Sequence, residues 1–335
     1  MSSTEILTLA EIEDLTQRAL VAAGTSPENA APLARATART EADGVASHGL
    51  AYVPIYAGHV DCGKVDGHAT PVVEHTRTAA LRVDAATGFA HPAIEAGFDQ
   101  LIPLAREHGV AVMSIHNSYN CGVLGCHTQV LAEAGLLGIG FTNAPASIAP
   151  SGGAKPLVGT NPFSIAAPDG EGGLAVLIDQ SASTIAKSEV MKHAREGKPV
   201  PIGWVLDADG QPTTDPEAGL KGTMVPSGGY KGVGIALMVE MMAAAMAGAT
   251  LGKDASPFSG PVGGPPKTGQ FFIAIDPNAT SGGDFASRMS DLVAALHDQE
   301  GARLPGDGRA AHRERAATQG VAVNSATLEK VRALL

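Results

Sequence analysis

The ends of the chain carry apolar residues at three- and four-residue spacing, whereas its middle carries short apolar runs separated by Gly and Pro. Thr8-x-x-Glu11 has the capping-box pattern and opens a helix with Ile12, Leu15, Ala19 and Leu20 on one face, ended by Gly24. Ser26-Pro27-Glu28 opens a second helix through Leu33, Ala36 and Thr37 toward Asp43-Gly44. Leu50 to Val60 reads as a third, followed by a Gly-rich turn over Asp61 to His68. From Thr70 the periodicity shortens. β runs are expected at 71–74, 79–83, 110–115, 137–142, 161–166, 174–179 and 270–275, with helices at 92–108 and 124–134 between them. Asp209-Gly210 is a hairpin-turn signal. The chain closes on helical patterns at 285–297 and 325–335. Strand–helix alternation predicts an α/β (α+β) body, and the helical ends predict that both termini pack together.

Gly232 to Leu251 is nearly all apolar, with Glu240 as its one acid. A membrane span needs ~20 apolar residues and disfavours a central carboxylate, so a buried core helix is expected, with no membrane partner. Composition agrees: 44% hydrophobic and 17% charged residues suit a well-buried globular chain. Aromatics are 4% against 41 glycines, so the core relies on small side chains and close backbone contacts. A net charge of −11 excludes a nucleic-acid partner, which would need a basic surface. Cys62, Cys121 and Cys126 are an odd, small set, and Met1-Ser-Ser-Thr-Glu-Ile has no secretory pattern. Free thiols in a reducing, cytoplasmic setting follow. Cys121-x4-Cys126-His127 lacks a second ligand pair, so no metal site is expected.

The densest chemistry lies in Glu41-Ala-Asp-Gly-Val-Ala-Ser47-His48-Gly49-Leu50, where hydroxyl, imidazole and acids sit at a helix end. Gly135-x-x-Gly138-x-Gly140 and Gly229-x-x-Gly232-x-Gly234 lack the order and context of the dinucleotide fingerprint. Walker, His-Glu-x-x-His and Gly-x-Ser-x-Gly patterns are also missing. What remains are polar loops after β runs: Ser147 to Lys155, Gly159-Thr160-Asn161-Pro162, Asp179 to Glu189, and Gly228-Gly-Tyr-Lys231-Gly at a helix start. Each alone is an ordinary turn or cap.

Together, in this order, they resemble the type-2 malate/L-lactate dehydrogenase family, which includes Δ1-piperideine-2-carboxylate and Δ1-pyrroline-2-carboxylate reductases. The matching segments are Asp43-Gly-x-x-Ser47-His48-Gly49, Asn117-Ser118-x-x-x-Gly122, Gly152-Gly153 through Pro162, Asp179-x-x-x-Ser183, Gly228-Gly229-x-Lys231-Gly232, and Arg303-Leu-Pro-Gly306-Asp-Gly-Arg309. The resemblance covers nearly the whole chain. It implies a non-Rossmann NAD(P)-binding fold, a homodimer, and reduction of a C=O or C=N next to a carboxylate. It divides the chain into a helical subdomain (1–72 with 284–335), a β-rich cofactor-binding domain (73–222), and a core helix and strand (223–283) completing the body.

By the same resemblance, His48 is the general acid, and Ser47 and Glu189 hold its tautomer. Tyr52 and Thr160 face the substrate. The cofactor lies along Asn120, Cys121, Gly122, Val123 and Leu124, then Asp179, Gln180, Ser181, Lys187, Ser188 and Lys231, and the Arg303, Gly306 and Arg309 loop. Two Arg residues in that loop favour a 2'-phosphate, hence NADP, with NAD possible. Glu189 stands where many 2-hydroxy-acid members carry Lys, which favours cyclic 2-imino acids over malate-, lactate- or sulfolactate-like substrates. A non-catalytic nucleotide binder is a remote third reading, which the Ser47, His48 and Glu189 set disfavours. Two positions depart from the family pattern. Tyr52 replaces the usual carboxylate-holding Arg, leaving Lys155, Thr160 or Arg39 as alternative anchors. Asn120 replaces a frequent His.

Overall fold

The computed structural model describes residues 3–335. A short strand, β1 (Thr4–Leu7), precedes helices α1 (Leu9–Ala22), α2 (Pro27–Ala42) and α3 (Val53–Asp61). The Thr8–Glu11 capping box is formed, with Thr8 N–H donating to Glu11 Oε2 at 2.8 Å and Glu11 N–H to Thr8 Oγ1 at 3.2 Å. Ser26 caps α2 through the Asn29 N–H at 3.2 Å. The expected third helix is split, because Leu50–Tyr52 is a 3-10 turn and the α-helix starts only at Val53.

Next come β2 (Val72–Arg77), β3 (Ala80–Asp84), α4 (Ala90–His108), β4 (Val110–Ser118), α5 (Leu124–Glu133), β5 (Leu137–Thr142), β6 (Phe163–Pro168) and β7 (Leu174–Gln180). A smaller lobe follows: α6 (Lys187–Glu196), β8 (Val205–Leu206), β9 (Pro212–Thr213), α7 (Pro216–Lys221) and β10 (Thr223–Met224). The Asp209-Gly210 turn joins β8 to β9 as expected, and Asp207 Oδ1 accepts from the N–H groups of Asp209 and Gln211. The chain ends with α8 (Tyr230–Glu240), β11 (Thr268–Ile275), α9 (Asn278–Ser281), α10 (Phe285–His297), α11 (Asp307–Gln319), β12 (Val321–Asn324) and α12 (Ser325–Arg332).

Seven strands form one mixed sheet in the order β2-β3-β4-β11-β5-β6-β7. Strand β11 is antiparallel to both β4 and β5, and β6 is antiparallel to both β5 and β7. Strands β4, β5 and β7 therefore run the same way, and their C-terminal ends, carrying Ser118, Thr142 and Asp179, open onto one edge of the body. Ligands of open α/β sheets gather at such carboxyl ends. Helix α4 covers the sheet through Ile94, Phe98 and Leu101 against Val83, Met113, Ile115 and Phe272. Helix α5 lies close on β5 because Gly138 and Gly140 give it room: a Cβ at either would stand 2.8 Å from Leu131 or Thr128 atoms. The glycine series that imitates a nucleotide fingerprint is thus a packing device.

The termini do pack together. The bond is a two-stranded sheet, β1 with β12 in antiparallel register from Thr4–Asn324 to Leu7–Val321, beside helix contacts. Ile12, Leu15, Leu33, Leu50, Val323, Leu328 and Val331 share one core. Neither strand shows a period-2 signal long enough to be read in sequence.

Helix α8 and the π turn Met241–Met246 that continues it correct the buried-helix expectation. One face is buried through Val233, Ala236, Val239, Ala243 and Ala244. The other is open: Tyr230 is 73% exposed, Met241 57% and Met246 62%, with Leu237 and Met238 between them. Among the described residues, no helix is long and apolar enough to cross a membrane.

Candidate active site

Helix α2 delivers the Ser47–His48 turn. Its last residues fold back through Gly44 at φ +75°, and Val45 N–H bonds to Thr40 O at 3.0 Å. Ala46–His48 then makes a single 3-10 turn. Behind it the buried Glu41 carboxyl accepts from Leu50 N–H at 2.7 Å, and burial raises its pKa. Gly49 has to be glycine here, because a Cβ would stand 2.1 Å from Glu41 Oε1. The imidazole of His48 is consequently held by both its neighbours and its backbone.

Ser47 Oγ lies 3.0 Å from His48 Nδ1, leaving Nε2 as the nitrogen available to a substrate. The ring of Tyr52 is parallel to that of His48, with an interplanar angle of 3° and centroids 5.8 Å apart. Tyr52 meets Tyr56 edge-on, and burial pushes its hydroxyl pKa up to about 12, so the phenol stays protonated. Burial lowers the His48 pKa, and the negative charge of Asp179 opposes that shift. Asp179, at the end of β7, is thus a charge that bears on the His48 ring. Glu189 sits in the first turn of α6, where Lys192 Nζ is 3.2 Å and His193 Nε2 3.8 Å from its Oε1. No contact joins Glu189 to His48 among the described residues.

Beyond the end of β4, Asn120 faces Tyr52, its Nδ2 donating to the Tyr52 hydroxyl at 3.4 Å. Its Oδ1 accepts from Gly122 N–H at 2.6 Å and closes a tight turn in which Gly122 has φ +67°. Cys121 and Val123 are buried, and Leu124 opens α5. Burial pushes the Cys121 thiol up to about 12, so it stays a thiol. Under the turn lies a buried pair, His91 and His127, with ring centroids 5.3 Å apart. His127 Nε2 donates to the Cys121 carbonyl at 2.8 Å, and His91 Nδ1 is buried without a hydrogen-bond partner. Burial lowers both pKa values, that of His127 to about 4.

The other expected residues are spread around the same edge. Gln180 is exposed, and Ser181 Oγ is 3.0 Å from Ser183 Oγ. Lys187 Nζ donates to Ser147 Oγ at 3.4 Å; crowding around its ammonium lowers its pKa although the residue as a whole is exposed. Ser188 follows it in the first turn of α6, and Lys231 is exposed in the first turn of α8. Thr160 accepts on its carbonyl from Ala182 N–H at 2.8 Å. Its turn is held by Asn161, which accepts from Ala144 N–H at 3.1 Å and donates to the buried Glu240 at 2.8 Å. Arg303 is exposed, and Gly306 at φ +103° starts α11. Arg309, expected in a loop, is inside that helix and engaged by Asp179 at 2.8 Å. Sequence reasoning missed Arg313, His91 and the role of Glu240, and weighed His127 only as part of a rejected metal pattern. Apart from His127, none of them belongs to a spaced pattern, and it is burial that marks the two histidines and Glu240.

The site fits a nicotinamide dinucleotide on its own features. Such a cofactor needs a rigid backbone turn, uncapped helix N-termini and a cation for its phosphates. The Asn120–Gly122 turn is pinned by its own side chain, and α5 and α6 begin without any side-chain cap. Lys187 adds a desolvated ammonium at the second of these termini.

A family model for malate/L-lactate dehydrogenase matches residues 7–332. The chain belongs to this family and is an oxidoreductase of it. It is 40% identical to a Δ1-pyrroline-2-carboxylate reductase of Ancylobacter novellus, over 98% of this chain and 97% of that protein. It is 42% identical to the (2R)-3-sulfolactate dehydrogenase (NADP(+)) of Chromohalobacter salexigens, over 93% of each. The crystal structure of Δ1-piperideine-2-carboxylate reductase from Pseudomonas syringae pvar. tomato superposes with a TM-score of 0.93 at 38% identity, covering 99% of this chain and all of that one.

Proposed function

We propose that the protein is an NADPH-dependent reductase of cyclic 2-imino acids, of the Δ1-pyrroline-2-carboxylate and Δ1-piperideine-2-carboxylate type. The observation that carries the reading is the pairing of a Ser47-held His48 with the aromatic wall of Tyr52. Tyr52 offers a flat, partly apolar face to the ring carbons of a cyclic substrate, while the carboxylate common to imino and oxo acids falls to another anchor. The names of two relatives, at 40% and 38% identity, point the same way.

The dinucleotide, when bound, supplies the hydride. The residues that would hold it are Asn120 to Leu124, Gln180, Ser181, Lys187, Ser188, Lys231 and the exposed Arg303, within the 73–222 segment and its neighbours. His48 Nε2 gives its proton to the substrate nitrogen, while Ser47 keeps Nδ1 engaged and Asp179 favours the charged ring. Imidazole suits the step because its acidity lies near working pH. Tyr52 and Asn120 orient the ring, and Thr160 lies on the substrate side.

A second reading, reduction of 2-oxo acids to 2-hydroxy acids, is favoured by the 42% identity to a sulfolactate dehydrogenase. NADPH and NADH absorbance followed with Δ1-piperideine-2-carboxylate, Δ1-pyrroline-2-carboxylate, pyruvate, oxaloacetate and sulfopyruvate separates the two. Turnover confined to the oxo acids would overturn the imine reading, and turnover of none would favour a nucleotide binder.

The open face of α8 supports a homodimer. Leu237, Met238, Met241 and Met246 recur at helical spacing around Gly234, and a second copy would cover them. Sedimentation of the wild type at twice the monomer mass, and of Met241→Glu at the monomer mass, is expected. All three cysteines are free, which suits a cytoplasmic enzyme.

A further inference from the structure

Arg309 is committed to two carboxylates. Its Nη2 donates to Asp179 Oδ2 at 2.8 Å, and its Nη1 lies 3.9 Å from Asp43 Oδ2. One helical turn further along α11, Arg313 Nε stands 3.1 Å from Asp43 Oδ1. Between them the ring of His312 packs on Gly44, 2.9 Å from where a Cβ would be. The Asp43 side chain is fully buried, and those of Asp179, Arg309 and Arg313 are 10%, 20% and 24% exposed. Enclosed charges persist when they are paired. Here two carboxylates meet two guanidiniums, so the charge of Arg309 is balanced within the protein, although its Nη1 makes no hydrogen bond. Gly125 on α5 confirms how tightly the pair is seated: a Cβ there would stand 2.6 Å from Asp179 Oδ2 and 2.7 Å from Arg309 Nη1.

We propose that Arg309 is a positioning residue, a bridge that holds the Asp179 carboxylate and the Asp43–His48 turn in fixed relation from the C-terminal helix α11. The proposal rests on His48 as the proton donor, but its readout does not require turnover. Several charged or titratable groups act on this cluster. Arg309 comes from α11. Asp43 and His48 come from the turn after α2, with Arg39 on α2 itself. Cys121, Cys126 and His127 come from the Asn120 turn and α5. Removing Arg309 and removing Asp43 change the charge balance in opposite senses. Without Arg309, Asp179 loses the cation that neutralises it, and its charge favours the His48 imidazolium more fully. Without the Asp43 charge, Arg309 is left to neutralise Asp179 more fully, and Asp179 favours the imidazolium less.

The test is NMR titration of the His48 ring in the full-length protein, assigned by comparison with His48→Gln. Arg309→Gln should move the midpoint up, by no more than about one unit, because the effect is passed through Asp179. Arg309→Lys should restore most of it, and Asp43→Asn should move it down. NADPH and NADH affinities, measured by fluorescence, should fall by the same factor in Arg309→Gln. Midpoints that do not move, or move the same way in Arg309→Gln and Asp43→Asn, would overturn the proposal. So would a tenfold loss of NADPH affinity with NADH spared, which would make Arg309 a phosphate ligand. Should Arg309→Gln fail to fold, Arg309→Lys and Asp43→Asn still carry the comparison. An enzyme inactive toward imines would titrate identically, so failure of the substrate reading is distinguishable.

Discussion

The buried histidine pair under the Asn120 turn should make the protein acid-labile by a calculable amount. His127 is 7% exposed, and burial lowers its pKa from 6.5 to about 4. In the unfolded chain the ring takes up its proton near pH 6.5; in the folded chain it resists until about pH 4. Between those values the unfolded state binds more protons, so stability falls as pH falls, and it is independent of this group above and below the window. At about 1.4 kcal/mol per pH unit the full cost of His127 is about 3 kcal/mol. For a chain of this length that corresponds to roughly 4–5 °C in Tm. His91, 3% exposed and shifted the same way, adds to the slope. The perturbation is His127→Gln, whose amide can still donate to the Cys121 carbonyl that His127 Nε2 holds at 2.8 Å. Urea unfolding at pH 7.5, 6.0, 5.0 and 4.5 should show a variant within about 1 kcal/mol of wild type at pH 7.5, one neutral hydrogen bond being retained. It should then lose about 1.4 kcal/mol less per pH unit below 6.5. Parallel stability curves for the two proteins would refute the reasoning, because they would mean that His127 titrates alike folded and unfolded.

Other consequences are sharper in activity. His48→Ala should lower kcat by about 10²–10⁴, the usual contribution of a general acid; full activity would remove His48 from the mechanism. Tyr52→Arg should improve kcat/KM for simple 2-oxo acids at the expense of cyclic imines, measured side by side, and unchanged selectivity would show that Tyr52 does not set substrate choice. Glu240→Ala leaves two buried N–H groups without their acceptor, that of Gly252 (2.6 Å) and one of the two on Asn161 Nδ2 (2.8 Å), whose other bond to the Ala236 carbonyl at 2.9 Å remains. At roughly 1–3 kcal/mol each, chemical unfolding should report a loss of about 2–5 kcal/mol, and a loss below 1 would contradict the network. Arg303→Ala should weaken NADPH several-fold more than NADH in fluorescence titrations; equal weakening would argue against 2'-phosphate contact at this residue.

Much of the frame was legible because its signals are local. A capping box, a Ser–Pro helix start, period-2 runs and an Asp-Gly turn each depend on a few adjacent residues, and all four are formed. Helix α11 was not legible: Asp-Gly-Arg-Ala-Ala-His-Arg-Glu-Arg has no apolar stripe, and its stability comes from the ion pairs of Arg309 and Arg313 with distant carboxylates. Strands β1 and β12 were equally silent, since a four-residue strand is stabilised by its partner some 320 positions away rather than by its own period.

The sequence by itself determined the class of chemistry, because Ser47, His48 and Gly49 are adjacent and their order among the other motifs is a one-dimensional property. It also determined that no Rossmann fingerprint exists, leaving the glycines of β5 free to serve helix packing. Only the tertiary structure brought the Asp179 carboxylate to bear on the imidazole. Neither Asp179 nor Glu189 is near His48 in sequence, and where β7 ends and α6 begins sets how each stands to it. The same holds for the open face of α8: an apolar helix reads alike whether neighbours cover it or not, and burial is a property of the packed chain.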